Sequence, residues 1–262
     1  MLSGGDMGKG CFVMIDGLDG SGKGTVIDAL RDWAVIKNLK VLRLRDFNRE
    51  FQRFPAEQEI AEYDVIITDE PTYTYVGKAI REELISTSGQ KYSGRTIAQA
   101  FSLDRELLYK KVIIPGLKQG KIIFQERGVV SSCVYQPVQE HIPLNEIINM
   151  PGNRLALEHA PNLLIIMRAA PEVVIERLRT RIKKDDSIFE TIVFQRKLHD
   201  RYSSIWLKQL MEKFGSQVEY LETNPPKAAD DTQKEAVDIW KKFYLKFQHR
   251  GLKARELQQE LA

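Results

Sequence analysis

Residues 17–25, Gly-Leu-Asp-Gly-Ser-Gly-Lys-Gly-Thr, set one ammonium group among four glycines at the start of a helical pattern. Glycine lets a backbone curl until successive N–H groups converge on one anion, and a helix that follows adds its positive end. The spacing G-x-x-x-x-G-K therefore reads as a phosphate loop for ATP, in which Gly17, Leu18, Asp19, Gly20, Ser21, Gly22, Lys23, Gly24 and Thr25 take part. The Lys23 ammonium would bridge the β and γ phosphates. Gly24 stands where a Ser or Thr usually offers its hydroxyl to Mg²⁺, so that part falls to Thr25 or Asp16. An ordinary glycine-rich turn is the competing reading, and the strand before and helix after count against it.

Charged groups recur after other apolar runs. Asp69 and Glu70 precede Pro71, and Glu126 and Arg127 follow the run 122–125. The carboxyl ends of parallel strands are where open α/β sheets hold ligands. Arg177 and Arg181 are four apart and share a helix face, able to close over ATP and offset the charge of a transferring phosphoryl group. A solvated basic face has the same spacing.

Positioning such groups takes a sheet. Short aliphatic runs at 11–16, 41–44, 65–68, 122–125, 163–167 and 218–221 predict strands, separated by helical patterns at 23–37, 76–86, 96–119, 171–183 and 189–214. This rhythm predicts an α/β fold: a doubly wound, mostly parallel sheet with helices on both faces. Residues 46–63 form a polar, charged and aromatic insertion between two strand-like runs where one is expected. Residues 231–262 read as a helical tail whose lysines and arginines alternate with Trp240, Phe243, Tyr244 and Phe247. A packed amphipathic helix with a solvated face explains the tail better than a nucleic-acid contact.

Composition narrows the class. In 262 residues, 39 Lys and Arg stand against 36 Asp and Glu, a net charge of +3, which does not concentrate into a basic face for nucleic acid. Cys11 and Cys133 lack any metal-ligand spacing and fit a reduced compartment. No apolar run approaches the roughly 18 residues of a membrane span, and the first ten residues lack the apolar stretch of a signal peptide. A cytoplasmic protein is expected, with a flexible extension over 1–10 and a single P-loop domain over 11–262.

The motifs resemble the thymidylate kinase family, in order from residue 12 to about 204. The segments are FVMIDGLDGSGKGT (12–25), DEPTYTYVGKAIREEL (69–84), AFSLDRELL (100–108), QERGVVSSCVYQ (125–136) and PNLLIIMRAAPEVVIERLRTRIKKDDS (161–187). The resemblance implies a P-loop kinase that phosphorylates thymidine monophosphate with ATP and Mg²⁺. It implies that Asp19 lies between acceptor phosphate and metal, with Thr25 and Glu126 as further metal candidates. It places Glu70, Pro71 and Arg81 at the acceptor, Phe101 stacked on the base and Arg105 reaching its edge. Arg127 would hold the acceptor phosphate, Ser131 and Ser132 would line the base pocket, and Tyr135 would pack against the sugar. Arg177, Arg179, Arg181, Lys183 and Lys184 would belong to a lid over about 177–190. Lys23, Asp19, Arg127, Arg177 and Arg181 are then the catalytic candidates. Homodimers are common in the family and one is expected.

Several positions depart from the family pattern, among them Asp185-Asp186 at the end of the lid in place of an Asp-Arg pair. Asp69 reverses the charge of an arginine, Glu126 lengthens an aspartate, and Gly128 replaces a large side chain, which could widen the pocket. A carboxylate about 4 Å from a phosphate would cost roughly 4 kcal/mol per unit charge at an effective dielectric near 20. Asp69 must therefore point away or be offset by Arg43, Arg45, Arg81 or Arg127. Taken alone, Phe101 could be a core residue and Asp104-Arg105 a surface pair. Two alternatives stay open: a kinase for another nucleoside monophosphate or a deoxynucleoside, and a non-catalytic ATP-binding regulatory protein.

Overall fold

The computed structural model describes residues 10–85, 91–181 and 191–260. Six parallel strands form one sheet in the order β2-β3-β4-β1-β5-β6. Strand β1 (Cys11–Gly17) leads into helix α1 (Lys23–Ile36), and β2 (Val41–Arg43) into α2 (Leu44–Phe51) and α3 (Glu57–Ala61). Strand β3 (Val65–Asp69) is followed by α4 (Tyr75–Ala79), which runs on as a π-helical turn, Ile80–Leu84. Helix α5 (Gly94–Leu108) continues through a second π-helical turn, Tyr109–Ile113, into α6 (Ile114–Lys118). Strand β4 (Ile122–Glu126) leads to α7 (Val129–Gln139), α8 (Leu144–Asn149) and α9 (Pro151–Glu158). Strand β5 (Leu163–Arg168) leads to α10 (Pro171–Arg181), α11 (Ile192–Tyr202) and α12 (Ile205–Lys213). Strand β6 (Gln217–Glu222) and the long α13 (Ala229–Glu260) complete the described chain.

The continuous apolar runs have a direct cause: strands buried on both faces have no solvent side to alternate toward. Phe12, Met14, Ile66, Ile123, Leu164 and Ile166 enter one core with α5 to α9 and α11. Val13, Ile15, Ile67, Phe124 and Ile165 enter the other with α1 and α13. There Trp240 is fully buried, 5.3 Å from the Trp33 ring centre and 5.1 Å from that of Phe124, both edge-on. Lys241, Lys242 and Lys246 face outward. The tail is thus the packed amphipathic helix its pattern predicts. No helix among the described residues is long and apolar enough to cross a membrane.

All six predicted strands form, and several details differ. The helix expected over 189–214 is two, because the chain turns at Ser203 and Ser204 between α11 and α12. The insertion over 46–63 is not a plain polar loop. Phe47, Phe54 and Ile60 are buried and anchor α2 and α3 to the core. Gly10 belongs to the fold rather than to a flexible extension: it is buried, and its N–H donates to the Leu117 carbonyl at 3.1 Å. A Cβ there would lie 2.6 Å from Leu117 Cα. Residues 1–9 and most of the expected lid, 182–190, fall outside the described residues.

Candidate active site

Every strand points its carboxyl end the same way, so the loops after β1, β3 and β4 gather at one edge of the sheet. Strand β1 lies between β4 and β5, and Ile15 pairs in register with Glu126 and Ile165. After Gly17 the chain turns sharply. Gly20 and Gly22 adopt φ of +78° and +94°, a left-handed conformation that costs glycine little. Lys23 opens α1, and its buried ammonium folds back on the loop, donating to Gly17 O at 3.1 Å and Leu18 O at 2.7 Å. Burial and then Arg127 pull its pKa down to about 8, against the attraction of Asp19, Glu126 and Asp16. The Ser21 hydroxyl is buried in the same loop with no partner among the described residues.

Asp16, one residue before the loop, is fully buried and its carboxylate is already engaged. It accepts from the Ser131 hydroxyl at 2.8 Å, the Ser131 N–H at 3.0 Å and the Tyr202 hydroxyl at 2.7 Å. Thr25 is half-buried in the first turn of α1. The Glu126 carboxylate accepts no hydrogen bond among the described residues, and its Oε2 lies 3.6 Å from where a Cβ on Gly24 would stand. Of the acidic groups at the loop, Glu126 is therefore the one with lone pairs to spare. No group of three or more His, Cys, Asp or Glu able to hold a metal occurs among the described residues.

Beside the loop opens a cavity of about 550 Å³, within the size range of small-molecule sites. Asp19, Arg127 and Ser131 line it near the loop, while Phe101, Ile97 and Ile85 give an apolar wall. Asp19 and Arg127 form an ion pair across it. Tyr135 donates to Asp19 Oδ2 at 3.1 Å and accepts from the Asp19 N–H at 3.2 Å. Burial works to raise the Asp19 pKa, but Arg127 and Lys23 outweigh it and hold the carboxyl below its ordinary value. Arg127 adopts φ of +65°, a left-handed backbone unusual for a residue with a side chain, immediately after β4. Such outliers concentrate at functional sites.

The departures at Asp69 and Gly128 resolve in space. Asp69 does face the cavity, and Arg45 Nε at 3.5 Å and Arg81 Nη2 at 3.7 Å flank its Oδ1. Burial nonetheless lifts its pKa to about 6, against the pull of both guanidiniums. Gly128 also lines the cavity, but its missing side chain does not leave open space. A Cβ there would lie 2.4 Å from Met14 Cε, so the methionine occupies that room.

Other expected site residues divide into two groups. Glu70, Pro71, Arg81, Phe101, Arg127, Ser131, Ser132, Tyr135 and Glu126 all line the cavity. Arg105 does not. It is 1% exposed and held by Glu70 at 2.5 Å, Ser132 at 3.1 Å and Asn153. Neither it nor Asp104 is a surface residue: Asp104 is buried too, accepting from the Thr72 hydroxyl at 2.6 Å and its N–H at 2.8 Å. Arg177 sits on the phosphate loop, donating to Gly20 O at 3.3 Å and Thr223 O at 2.5 Å. Arg179 is exposed. The Arg181, Lys183 and Lys184 side chains lie outside what is described.

Three contributors escaped the sequence reading. Gln125 is fully buried and donates to both Glu70 Oε1 at 2.9 Å and Arg127 O at 2.8 Å. Asn153 and Tyr202 come from segments with no chemical motif, 48 residues from Arg105 and 186 from Asp16. Arg45, expected only as one of four possible counter-charges for Asp69, lies in the first turn of α2, where an Arg beside the positive end of the helix is itself a local signal.

Comparison with known proteins agrees with the geometry. The family model described as Thymidylate kinase matches residues 54–224. A thymidylate kinase of Caldicellulosiruptor saccharolyticus is 30% identical over 198 residues, 75% of this chain and 83% of that protein. A probable thymidylate kinase of Pyrococcus horikoshii is 30% identical over 199 residues, 74% and 82% of the two chains. The crystal structure of a thymidylate kinase from Ehrlichia chaffeensis shares the fold with a TM-score of 0.58, at 18% identity, over 89% of this chain and 99% of that one.

Proposed function

The chain belongs to the thymidylate kinase family, and we propose that it transfers the γ-phosphoryl group of ATP to thymidine monophosphate. One observation carries this reading: the phosphate loop opens, through the Asp19–Arg127 pair, into a cavity that ends in an aromatic wall at Phe101. A nucleoside monophosphate has that polarity, with an anion at one end and a flat ring at the other.

In this mechanism loop amides and Lys23 hold the triphosphate, and Arg127 holds the acceptor phosphate within reach of it. An acceptor phosphate oxygen attacks the γ-phosphorus, a new O–P bond forms, and the bond to the β–γ bridging oxygen breaks, leaving ADP. The attacking oxygen is already anionic, so no protein base is needed. Lys23, Arg127 and Arg177 bear the charge that spreads over the transferring group. Phe101 stacks on the base, and Ser132 presents its hydroxyl beside it. Arg105 acts through others, fixing Glu70 and Ser132 rather than touching the base.

The donor set fits Mg²⁺, which typically binds one or two carboxylates and takes its other ligands from phosphate and water. Glu126 is the unspent carboxylate beside Gly24, and Asp19 in the phosphate loop and Thr25 in the first turn of α1 are the further candidates. When bound, the ion would neutralise charge on the β and γ phosphates.

A coupled assay for ADP, run with ATP, Mg²⁺ and a panel of nucleoside monophosphates and nucleosides, tests the proposal. Turnover should be greatest with dTMP. Clear turnover of another acceptor and none of dTMP would replace the substrate, and ATP binding with no acceptor-stimulated ADP would replace the enzyme with a regulatory protein.

A further inference from the structure

Four guanidinium groups line the cavity: Arg43, Arg45, Arg81 and Arg127. Three of them have donors engaged by the protein. Arg43 Nη2 donates to Asp28 at 2.9 Å. Arg81 Nε donates to Pro71 O at 3.0 Å and Thr72 O at 3.1 Å, and its Nη2 also reaches Pro71 O. Arg127 is paired with Asp19 and donates to the Ser131 hydroxyl at 3.2 Å.

Arg45 differs. Its one close polar contact among the described residues is the 3.5 Å approach of Nε to Asp69. Neither terminal nitrogen makes a hydrogen bond there, although the side chain is only 29% exposed. Its guanidinium stands 5.5 Å from the centre of the Tyr73 ring, which also carries Arg81 at 3.9 Å. Asp69 and Tyr73 therefore fix the group in place through its carbon and Nε, leaving the outer edge unspent.

Local preference does not account for this arrangement. Arg45 lies in the first turn of α2, against the helix dipole, and two residues after Arg43. A residue that breaks a local rule without an evident structural gain points to function. Its position at the carboxyl end of β2, next to the end of β3, is where a sheet of this kind presents ligands.

We propose that Arg45, supplied by helix α2, is a specificity-determining residue that binds the phosphate of the acceptor nucleotide, with Asp69 and Tyr73 as its positioning residues. The proposal rests on the phosphotransferase reading given above. It explains why a carboxylate persists in a cavity for anions. Asp69 orients two guanidiniums toward one point, and each Arg brings a full charge, so the trio keeps a net charge of +1. A planar guanidinium with both outer nitrogens unspent matches a phosphate by two parallel hydrogen bonds.

The test compares wild type, Arg45→Ala and Arg45→Lys by calorimetry and steady-state kinetics, using dTMP, thymidine and ATP. Loss of a charge-assisted contact should weaken dTMP by about 10- to 100-fold in Kd and KM for Arg45→Ala. Thymidine, which lacks the phosphate, should bind all three proteins alike, and KM for ATP should hold. Arg45→Lys should recover part of the loss, since it keeps the charge but not the fork. Asp69→Asn should weaken dTMP less than Arg45→Ala does. Wild-type turnover of dTMP with Arg45→Ala indistinguishable from it overturns this proposal alone, as does an equal loss for thymidine and dTMP. A wild-type protein that neither binds nor phosphorylates dTMP overturns the substrate reading and this proposal together.

Discussion

Asp19 and Arg127 lie 108 residues apart in the chain and meet as an ion pair at the seam between the phosphate loop and the neighbouring cavity. The loop after β1 supplies one partner and the left-handed turn after β4 the other, so adjacent parallel strands are what bring them together. Both groups line the cavity beside the loop, and the proposed reaction assigns them to the transfer between two phosphates.

Arg127→Ala should therefore lower kcat by about 100- to 1000-fold, the usual cost of losing one donor aimed at developing charge. ATP affinity should change far less. A kcat within a few-fold of wild type at saturating acceptor would show that Arg127 has no part in the transition state.

Lys23 has its pKa pulled down to about 8 by burial and by Arg127. The protonated form binds the triphosphate, so kcat/KM for ATP should fall as pH rises through about 8, and this limb reports the free enzyme. Replacing Lys23 with Arg, which stays charged, should remove that descending limb whatever it does to the plateau. A limb that persists in Lys23→Arg would belong to another group.

Phe101 is half-buried on the apolar wall of the cavity. Phe101→Ala should raise KM for the acceptor by about 10-fold, in line with a stacking contact of roughly 1–3 kcal/mol per base. KM for ATP should stay put, and equal losses for both substrates would assign the ring to the core instead.

Glu70 and Arg105 form a salt bridge in which neither side chain is more than 3% exposed. Burial pushes the Glu70 pKa up to about 7 from 4.5, outweighing the attraction of Arg105. The folded state then binds more protons than the unfolded state between those values, so this group makes stability fall as pH rises from 4.5 to about 7. Denaturant titrations should show that slope flattened in Glu70→Gln. Removing Arg105 leaves a buried carboxylate without its counter-charge, and Arg105→Ala should cost about 3–5 kcal/mol above pH 7, less at pH 5 where Glu70 takes up a proton. A cost independent of pH would mean that Glu70 stays ionised throughout.

The tail makes a simpler prediction. Trp240 is fully buried between α1 and the sheet. Trp240→Ala should destabilise the fold by about 3–5 kcal/mol, with the acceptor KM unchanged, and a normal midpoint of unfolding would show the tail to be dispensable for packing.

Much of this protein was legible without coordinates, because it depends on short-range order. The phosphate loop is written in consecutive residues, and glycine spacing before a helix fixes its geometry whatever the remainder does. The six strands announced themselves as unbroken aliphatic runs, since a sheet covered on both faces leaves no polar alternation. Family segments then placed Phe101, Ser131, Ser132 and Tyr135 around one cavity, and the structure brings them there.

Only tertiary structure decided which charges meet. The sequence left Asp69 with four candidate partners; the proximity of β2 and β3 brought Arg45, and the π-helical turn after α4 brought Arg81. It suggested that Arg105 reaches a ligand, whereas Asn153, 48 residues on, and Glu70 bury it. It read Gly128 as added space, which Met14 fills. Hydrophobic periodicity and loop glycines act over a few residues and survive in the linear pattern. The environment of a charge depends on strand order and on side chains arriving from distant segments, and no local spacing encodes those.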